Sequence, residues 1–220
     1  MSSSENALRK EMVFIGKQMH DKGFVSASDG NIACRVSNNR VISTPSGKSK
    51  GFLSPGDLVV TDLNGKKISG KGKPTSELEL HLAAFKERPD IRASIHSHAP
   101  FAVACSVAGI DLGKIVLPEA YMIFGRVPVT PYATPSSGES PKVTAEFIKK
   151  CDAMVIDRHG TFTVGKTLME AYMKLEKLEH FAFIMFICSL KGRIKTLNRQ
   201  QLRKIDEIRR KYGLSTMRYI

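Results

Sequence analysis

At 220 residues with a formal net charge of +13, the chain fits one domain of ordinary size, and its basic surface suits nucleic acid, anionic lipid or a negatively charged metabolite. The opening residues lack a basic start followed by an apolar stretch, and the longest apolar run, Phe181 to Cys188, is far shorter than the roughly 20 residues that span a bilayer. The four cysteines are scattered without a CxxC pair, which disfavours a disulfide framework or a thiolate zinc site and suits a reducing cytoplasm.

The N-terminal part predicts one helix and two hairpins. An apolar repeat at helical spacing predicts a helix over residues 5–22, and Gly23 stands where a helix usually ends. Asn38-Asn39 and Asn64-Gly65 then separate short β-prone runs, as tight hairpin turns do, and such hairpins indicate an antiparallel sheet. The predicted strands are 31–36, 40–44, 58–62 and 66–69.

Beyond Pro74 the pattern alternates between helices and buried strands. A helix is predicted to run to about Glu87, with Ser76 and Glu79 spaced as a capping box. The elements that follow are a strand at 93–98, a helix from about 100, a helix opening at 140–141, strands at 153–157 and 162–164, and helices at about 167–191 and 199–212. We therefore predict an α/β fold, a single domain over 1–220 whose central, mostly antiparallel (mixed) sheet is covered by helices.

The last predicted helix begins a basic C-terminal segment over 198–220. Its lysines and arginines fall within an amphipathic pattern, which more often marks a solvated helix face than a nucleic-acid patch. We therefore expect neither a nucleic-acid partner nor a membrane. A basic protein that binds nucleic acid or a membrane surface through this helix is the alternative from a different functional class.

Three histidines form a candidate metal site. His96 and His98 alternate on one predicted strand, so both imidazoles can reach the same point in space. His159 follows the apolar strand 153–157, at a strand end of the kind that commonly carries catalytic groups. Three imidazoles leave one coordination position open, as in catalytic zinc sites, and Glu77 is the best candidate for a nearby acid. The other histidines, His20, His81 and His180, are assigned structural or surface roles.

Three turns of small residues form a candidate phosphate site. They cover residues 28–31, 44–48 and 73–76, and together they offer backbone N–H groups, hydroxyls, an amide side chain and a helix N-terminus. Neither GxGxxG nor GxxxxGK[ST] occurs, so a nucleotide cofactor is not favoured. The sequence therefore predicts a phosphate group on a small substrate.

Five motifs occur in chain order: Gly30-Asn31, Thr44-Pro45-Ser46-Gly47, Thr75-Ser76-Glu77, His96-Ser97-His98 and His159. This order resembles the class II aldolase/adducin family over nearly the whole chain. The resemblance implies one Zn²⁺ per subunit, or another divalent transition metal, on His96, His98 and His159. It implies Glu77 as the catalytic acid, which also ligates the metal when substrate is absent. The implied phosphate-binding residues are Gly30, Asn31, Ser46, Gly47, Thr75 and Ser76.

Two tyrosines extend the resemblance to the aldolases of this family that act on deoxyketose 1-phosphates such as L-fuculose 1-phosphate. Tyr121, followed by Met122, and Tyr212 near the C-terminus match two tyrosines that donate protons in those enzymes. The first of these reaches the active site of a neighbouring subunit, so the resemblance also implies a homotetramer with active sites at subunit interfaces.

The expected activity is zinc-dependent retro-aldol cleavage of a ketose 1-phosphate to dihydroxyacetone phosphate and an aldehyde. Two alternatives within the family are a pentose-phosphate 4-epimerase, which has an aspartate at the position of Ala120, and a methylthioribulose-1-phosphate dehydratase, which has a glutamate at that of Tyr121. This chain has neither acid there. Glu119 lies close by in the sequence, so an acid role for it in another reaction stays open.

Overall fold

A seven-stranded sheet lies at the centre of the computed structural model, which describes residues 3–214. The strands are β1 Asn31–Ser37, β2 Arg40–Ser43, β3 Val59–Thr61, β4 Lys67–Ser69, β5 Ala93–Ser97, β6 Ala153–Ile156 and β7 Gly160–Gly165. Their spatial order is β4-β3-β2-β1-β5-β7-β6, and every neighbouring pair is antiparallel. The predicted antiparallel hairpins are confirmed, and one isolated parallel bridge joins Val129 to Val155.

Helices cover both faces of this sheet, which gives the single α/β domain that the sequence predicts. The helices are α1 Ser3–Asp21, α2 Leu78–Glu87, α3 Pro100–Val107, α4 Pro118–Phe124, α5 Glu139–Ile148, α6 Leu168–Ser189 and α7 Arg199–Lys211. Alternate residues of β1 separate the two cores: Ile32 packs with α1, α3 and α6, while Ala33 packs with α2 and α5. Within residues 3–214, no helix has the length and apolar character needed to cross a bilayer.

The predicted capping box at the start of α2 is wrong. The helix begins at Leu78 with Glu77 as its N-cap, and no side chain caps it. Thr75 is instead held in an extended segment, because its N–H donates to the carbonyl of Thr44 and Pro74 bridges to Pro45. Ser76 therefore lies outside the capping position, and the side chain of Glu77 is directed elsewhere.

Helix α4 and two short 3₁₀ turns, Lys50–Phe52 and Pro55–Asp57, are elements that the sequence did not predict. The basic helix α7 is present, with Asn198 and Gln201 forming a capping box at its start. It docks on α4 through Arg209, whose buried guanidinium donates to the carbonyls of Tyr121 and Met122. The end of the predicted C-terminal tail, residues 215–220, lies outside the described residues.

Candidate metal centre

The centre of the sheet brings three histidines and one glutamate together. His96 lies on β5, opposite Asn31 of β1 on one side and Phe162 of β7 on the other. His98 follows directly after β5, His159 lies in the turn between β6 and β7, and Glu77 precedes α2. One ligand atom from each of Glu77, His96, His98 and His159 lies within 4.8 Å of the others.

The spacing of these atoms suits one small cation. The Nε2 atoms of His96 and His98 lie 3.1 Å apart. The two carboxylate oxygens of Glu77 lie 3.3 Å from His96 Nε2 and 3.3 Å from His159 Nε2. Ligands about 2.0–2.1 Å from a tetrahedral zinc ion are separated from one another by about 3.3 Å. These three distances are therefore close to those between ligands of one tetrahedral ion.

The hydrogen bond of the His96 ring leaves the Nε2 lone pair of this ring facing the centre. His96 Nδ1 lies 2.9 Å from the carbonyl oxygen of Thr161, and since a carbonyl only accepts, Nδ1 carries the proton. Burial, with His159 and His98 nearby, holds the pKa of His96 well below its usual range, so the ring is neutral and its Nε2 is free to ligate. Two Nε2 lone pairs at 3.1 Å would repel unless a proton or a metal cation lay between them.

A buried oxygen of Glu77 also favours a metal at this point. Within residues 3–214, His159 Nδ1 and Glu77 Oε1 have no hydrogen-bond partner although both are buried. Burial of an unsatisfied polar atom is costly, and an ion between Glu77 and the three rings would compensate the carboxylate oxygen. On the outer side, His98 Nδ1 lies 3.5 Å from a carboxylate oxygen of Asp29. The three rings therefore fit a divalent transition metal whose fourth position is filled by Glu77 and opens when Glu77 does not ligate.

A polar cavity of about 320 Å³ opens beside this cluster. All three small-residue turns line it, together with Glu77, His98 and His159. The six residues predicted to hold phosphate, Gly30, Asn31, Ser46, Gly47, Thr75 and Ser76, are all among its lining residues. The N–H groups of Ser46 and Thr75 already donate to backbone carbonyls, so their hydroxyls are the donors left for a ligand.

The side chain of Asn31, also predicted to bind phosphate, is already hydrogen-bonded to other residues of the protein. Its side-chain Nδ2 donates to Glu77 Oε2 at 2.9 Å, and its Oδ1 lies 2.6 Å from His81 Nε2. His81 is fully buried and also contacts Ser94 Oγ at 2.7 Å. Of the structural or surface role predicted for His81, the structural one is confirmed; its partners come from two separate strands and were hidden in the linear sequence.

Lys50 is a residue of the cavity that the sequence analysis missed. Its side chain is buried, and Nζ donates to the carbonyls of Ser28 and Lys48, both at 2.7 Å, so it ties two of the three turns together. Burial lowers the pKa of Lys50 to about 8, although Asp29 and Glu77 act in the opposite direction. Nothing in the sequence separates this lysine from the many exposed ones.

Ser136 is the second missed residue. With Pro135 it lines the cavity from the segment that precedes α5, and its φ of +56° is a conformation that a non-glycine residue rarely adopts. No motif marks this segment in the sequence.

The two predicted catalytic tyrosines lie outside the cavity of their own chain. Tyr121 is on α4, and its hydroxyl donates to Asp206 of α7 at 2.9 Å. Burial and Asp206 raise the pKa of Tyr121 above its usual value. Tyr212 is exposed beyond α7, and Glu119 is exposed on α4. Within the described residues of one chain, Tyr121 and Tyr212 lie away from the cluster, whereas all the other predicted site residues lie at the cluster or line its cavity.

Comparisons with known proteins show what the whole chain is similar to. Residues 10–186 match the family model described as Class II Aldolase and Adducin N-terminal domain. An L-fuculose phosphate aldolase of Methanococcus maripaludis is 37% identical over 177 residues, which cover 80% of this chain and 95% of the relative. A 3-oxo-tetronate 4-phosphate decarboxylase of Pectobacterium atrosepticum is 31% identical over 189 residues, with 84% and 86% covered.

Solved structures share the fold over nearly the full length. YgbL from Escherichia coli superposes with a TM-score of 0.86 at 29% identity, covering 94% of this chain and 100% of that one. An L-fuculose 1-phosphate aldolase superposes with a TM-score of 0.85 at 24% identity, covering 97% and 98%.

Proposed function

The chain belongs to the class II aldolase and adducin family, and we propose that it is a zinc-dependent lyase that cleaves a ketose 1-phosphate into dihydroxyacetone phosphate and an aldehyde. The observation that carries the proposal is the convergence of Glu77, His96, His98 and His159 beside a polar cavity. The similarity to L-fuculose phosphate aldolases supports L-fuculose 1-phosphate, or a similar deoxyketose phosphate, as the substrate.

His96, His98 and His159 would hold the ion, and Glu77 would be its fourth ligand while substrate is absent. When bound there, zinc supplies Lewis-acid polarisation of the substrate's carbonyl group. The hydroxyls of Ser46, Thr75 and Ser76 and the turns at Gly30 and Gly47 would bind the phosphate, whereas the amide of Asn31 is already bonded to Glu77 and His81. The ammonium group of Lys50 adds positive charge to the same cavity.

In the proposed mechanism, Glu77 transfers the proton that completes the reaction. A base removes the proton of the C4 hydroxyl, the C3–C4 bond breaks, and the aldehyde departs. Glu77, which leaves the metal and takes up a proton from solvent when substrate binds, then donates this proton to C3 and gives dihydroxyacetone phosphate, while the base returns the C4 hydroxyl proton to solvent. We propose that Tyr121 of the partner subunit exchanges a proton with the aldehyde oxygen. We propose Tyr212 as a second proton donor. Both assignments require the homotetramer that we propose, with active sites at subunit interfaces.

Metal analysis followed by a coupled assay tests this function. Purified protein is expected to carry about one zinc ion per chain and to release dihydroxyacetone phosphate from L-fuculose 1-phosphate. A chelator is expected to abolish turnover, whereas borohydride with substrate is expected to leave the enzyme active because no lysine Schiff base forms. A trapped lysine adduct, or absence of dihydroxyacetone phosphate with every ketose 1-phosphate tested, would contradict the proposal.

A decarboxylase acting on a phosphorylated 3-oxo acid is the second candidate. Relatives described as 3-oxo-tetronate 4-phosphate decarboxylases cover 83–84% of this chain, slightly more than the 80% covered by the first aldolase relative. Such a reaction also breaks a carbon–carbon bond near a carbonyl group and also leaves dihydroxyacetone phosphate. Release of carbon dioxide rather than an aldehyde would identify it.

The other functions that the sequence leaves open would give different results in these assays. A 4-epimerase or a dehydratase of the same family would release no dihydroxyacetone phosphate. A nucleic-acid-binding protein would give a salt-sensitive gel shift and no lyase activity.

A further inference from the structure

A continuous line of hydrogen bonds runs from the core to Glu77. Ser94 Oγ lies 2.7 Å from His81 Nδ1, His81 Nε2 lies 2.6 Å from Asn31 Oδ1, and Asn31 Nδ2 lies 2.9 Å from Glu77 Oε2. Ser94 and His96 are alternate residues of β5, and Asn31 pairs with His96 across the sheet, so all three side chains share the face that α2 covers. His81 packs onto that face beside Phe162.

The direction of each bond follows from Glu77. A carboxylate only accepts, so the Asn31 group that faces it at 2.9 Å has to be the NH₂ group, which turns Oδ1 towards His81. His81 then carries its proton on Nε2. Burial, with His96 nearby, lowers the pKa of His81 to about 3, so the ring is neutral and its Nδ1 is an acceptor for the Ser94 hydroxyl. In this arrangement each of the three hydrogen bonds joins one donor to one acceptor.

We propose that His81 is a positioning residue for Glu77, acting through Asn31. Its Nε2–H fixes the orientation of the Asn31 amide, and the amide fixes one oxygen of Glu77 between the sheet and the metal centre. Neither His81 nor Ser94 is among the residues that line the cavity. The proposal rests on the proposed role of Glu77 and adds a buried residue that substrate does not touch.

Neutron diffraction from perdeuterated crystals tests the arrangement without any assay. Deuterium is expected on His81 Nε2, with the ND₂ group of Asn31 towards Glu77, because neutrons locate the hydrogens that X-rays leave to inference. Deuterium on His81 Nδ1, with Asn31 Oδ1 towards Glu77, would overturn the proposal. This outcome is independent of which reaction the protein catalyses.

Kinetic measurements test whether the loss of His81 slows the reaction. His81→Leu is expected to lower kcat by about 10- to 100-fold, as the loss of other outer partners of a metal site does, with KM and zinc content unchanged. His81→Gln, which keeps a donor, is expected to recover part of kcat. His20→Leu is the matched control, since it removes a helix imidazole that stacks on Phe52 away from this line, and its kcat is expected to stay within about twofold.

A double-mutant cycle separates positioning from a general loss of packing. If His81 acts through Asn31, His81→Leu has no further effect on kcat in an Asn31→Leu background. Equal effects of His81→Leu in both backgrounds would overturn the proposal. Should the wild-type protein cleave no ketose phosphate, the proposed function fails, and the neutron result alone decides the arrangement.

Discussion

The Nε2 atoms of His96 and His98 lie 3.1 Å apart, and His96 Nδ1 is held by the carbonyl of Thr161. Removal of either ring is therefore expected to take away a ligand that no neighbour replaces. His96→Ala is expected to lose most bound zinc and the rise in melting temperature that zinc gives the wild-type chain. Elemental analysis and thermal scans with and without zinc measure both effects. The exposed His180 provides the control, and loss of zinc from His180→Ala as well would argue against this site.

Glu77→Gln separates metal binding from proton transfer. The three histidines remain, so we expect zinc to be retained, while turnover falls by about 10²- to 10⁴-fold because the amide cannot deliver the proton. Release of dihydroxyacetone phosphate and zinc content are measured on the same sample. Glu79→Gln on the exposed side of α2 is expected to behave as wild type. Full activity of Glu77→Gln would remove this residue from the mechanism.

Lys50 makes phosphate binding depend on pH. An ammonium group attracts phosphate and a neutral amine does not, and burial lowers the pKa of Lys50 to about 8 in the absence of ligand. The affinity for inorganic phosphate is therefore expected to fall as pH rises through about 8, which calorimetry can measure. Lys50→Met is expected to bind weakly at all pH values. Lys48→Met, which removes an exposed lysine of the same turn, is expected to keep the pH dependence; a pH-independent wild type would contradict this role.

Tyr121 provides a test of the proposed subunit arrangement. Tyr121→Phe is expected to slow cleavage with zinc content intact. If each active site combines the metal centre of one chain with the tyrosine of another, mixed oligomers of Tyr121→Phe and Glu77→Gln regain about a quarter of wild-type activity, because that share of sites has both residues. Light scattering measures the oligomer. A mixture no more active than its separate components would place Tyr121 outside the neighbouring site.

Gly160 lies where any side chain would press on the metal centre. A Cβ there would come within 2.3 Å of the Ser97 carbonyl oxygen and 2.8 Å of His96 Cε1. Gly160→Ala is expected to cost about 1–3 kcal/mol of unfolding free energy and to weaken zinc binding. Urea unfolding and metal competition measure these effects. Gly138→Ala, with nothing within 4 Å of its new Cβ, is the control; equal stability of the two variants would contradict the clash.

The sequence predicted the parts of the site that local periodicity determines. Alternation along one predicted strand put His96 and His98 on the same side, and the position of His159 at the end of an apolar strand marked it as the third candidate ligand. Lys50 could not be recognised in this way, because its burial depends on carbonyl groups from two turns that only the tertiary structure brings together. The partners of His81 are likewise on two strands far from it in sequence.

The wrong prediction of a capping box and the failure to predict helix α4 also arise from contacts between residues distant in the sequence. Ser76 and Glu79 have the spacing of a capping box, but the contact between Pro45 and Pro74 keeps the preceding segment extended, and this long-range pairing overrides the local preference. Helix α4 is short and depends on Arg209 of the distant helix α7 for its C-terminal hydrogen bonds. Elements of this kind are specified by their neighbours more than by their own residues.

The position of β5 between β1 and β7 determines how the metal centre would respond to loss of its ion. His96 is anchored by ladders on both sides, and His159 belongs to the tight connection between two paired strands. The backbone therefore maintains the coordination geometry in advance, unlike a zinc finger, which folds only around its ion. Stripped protein should keep its native shape, and adding the ion back should restore activity without a refolding step.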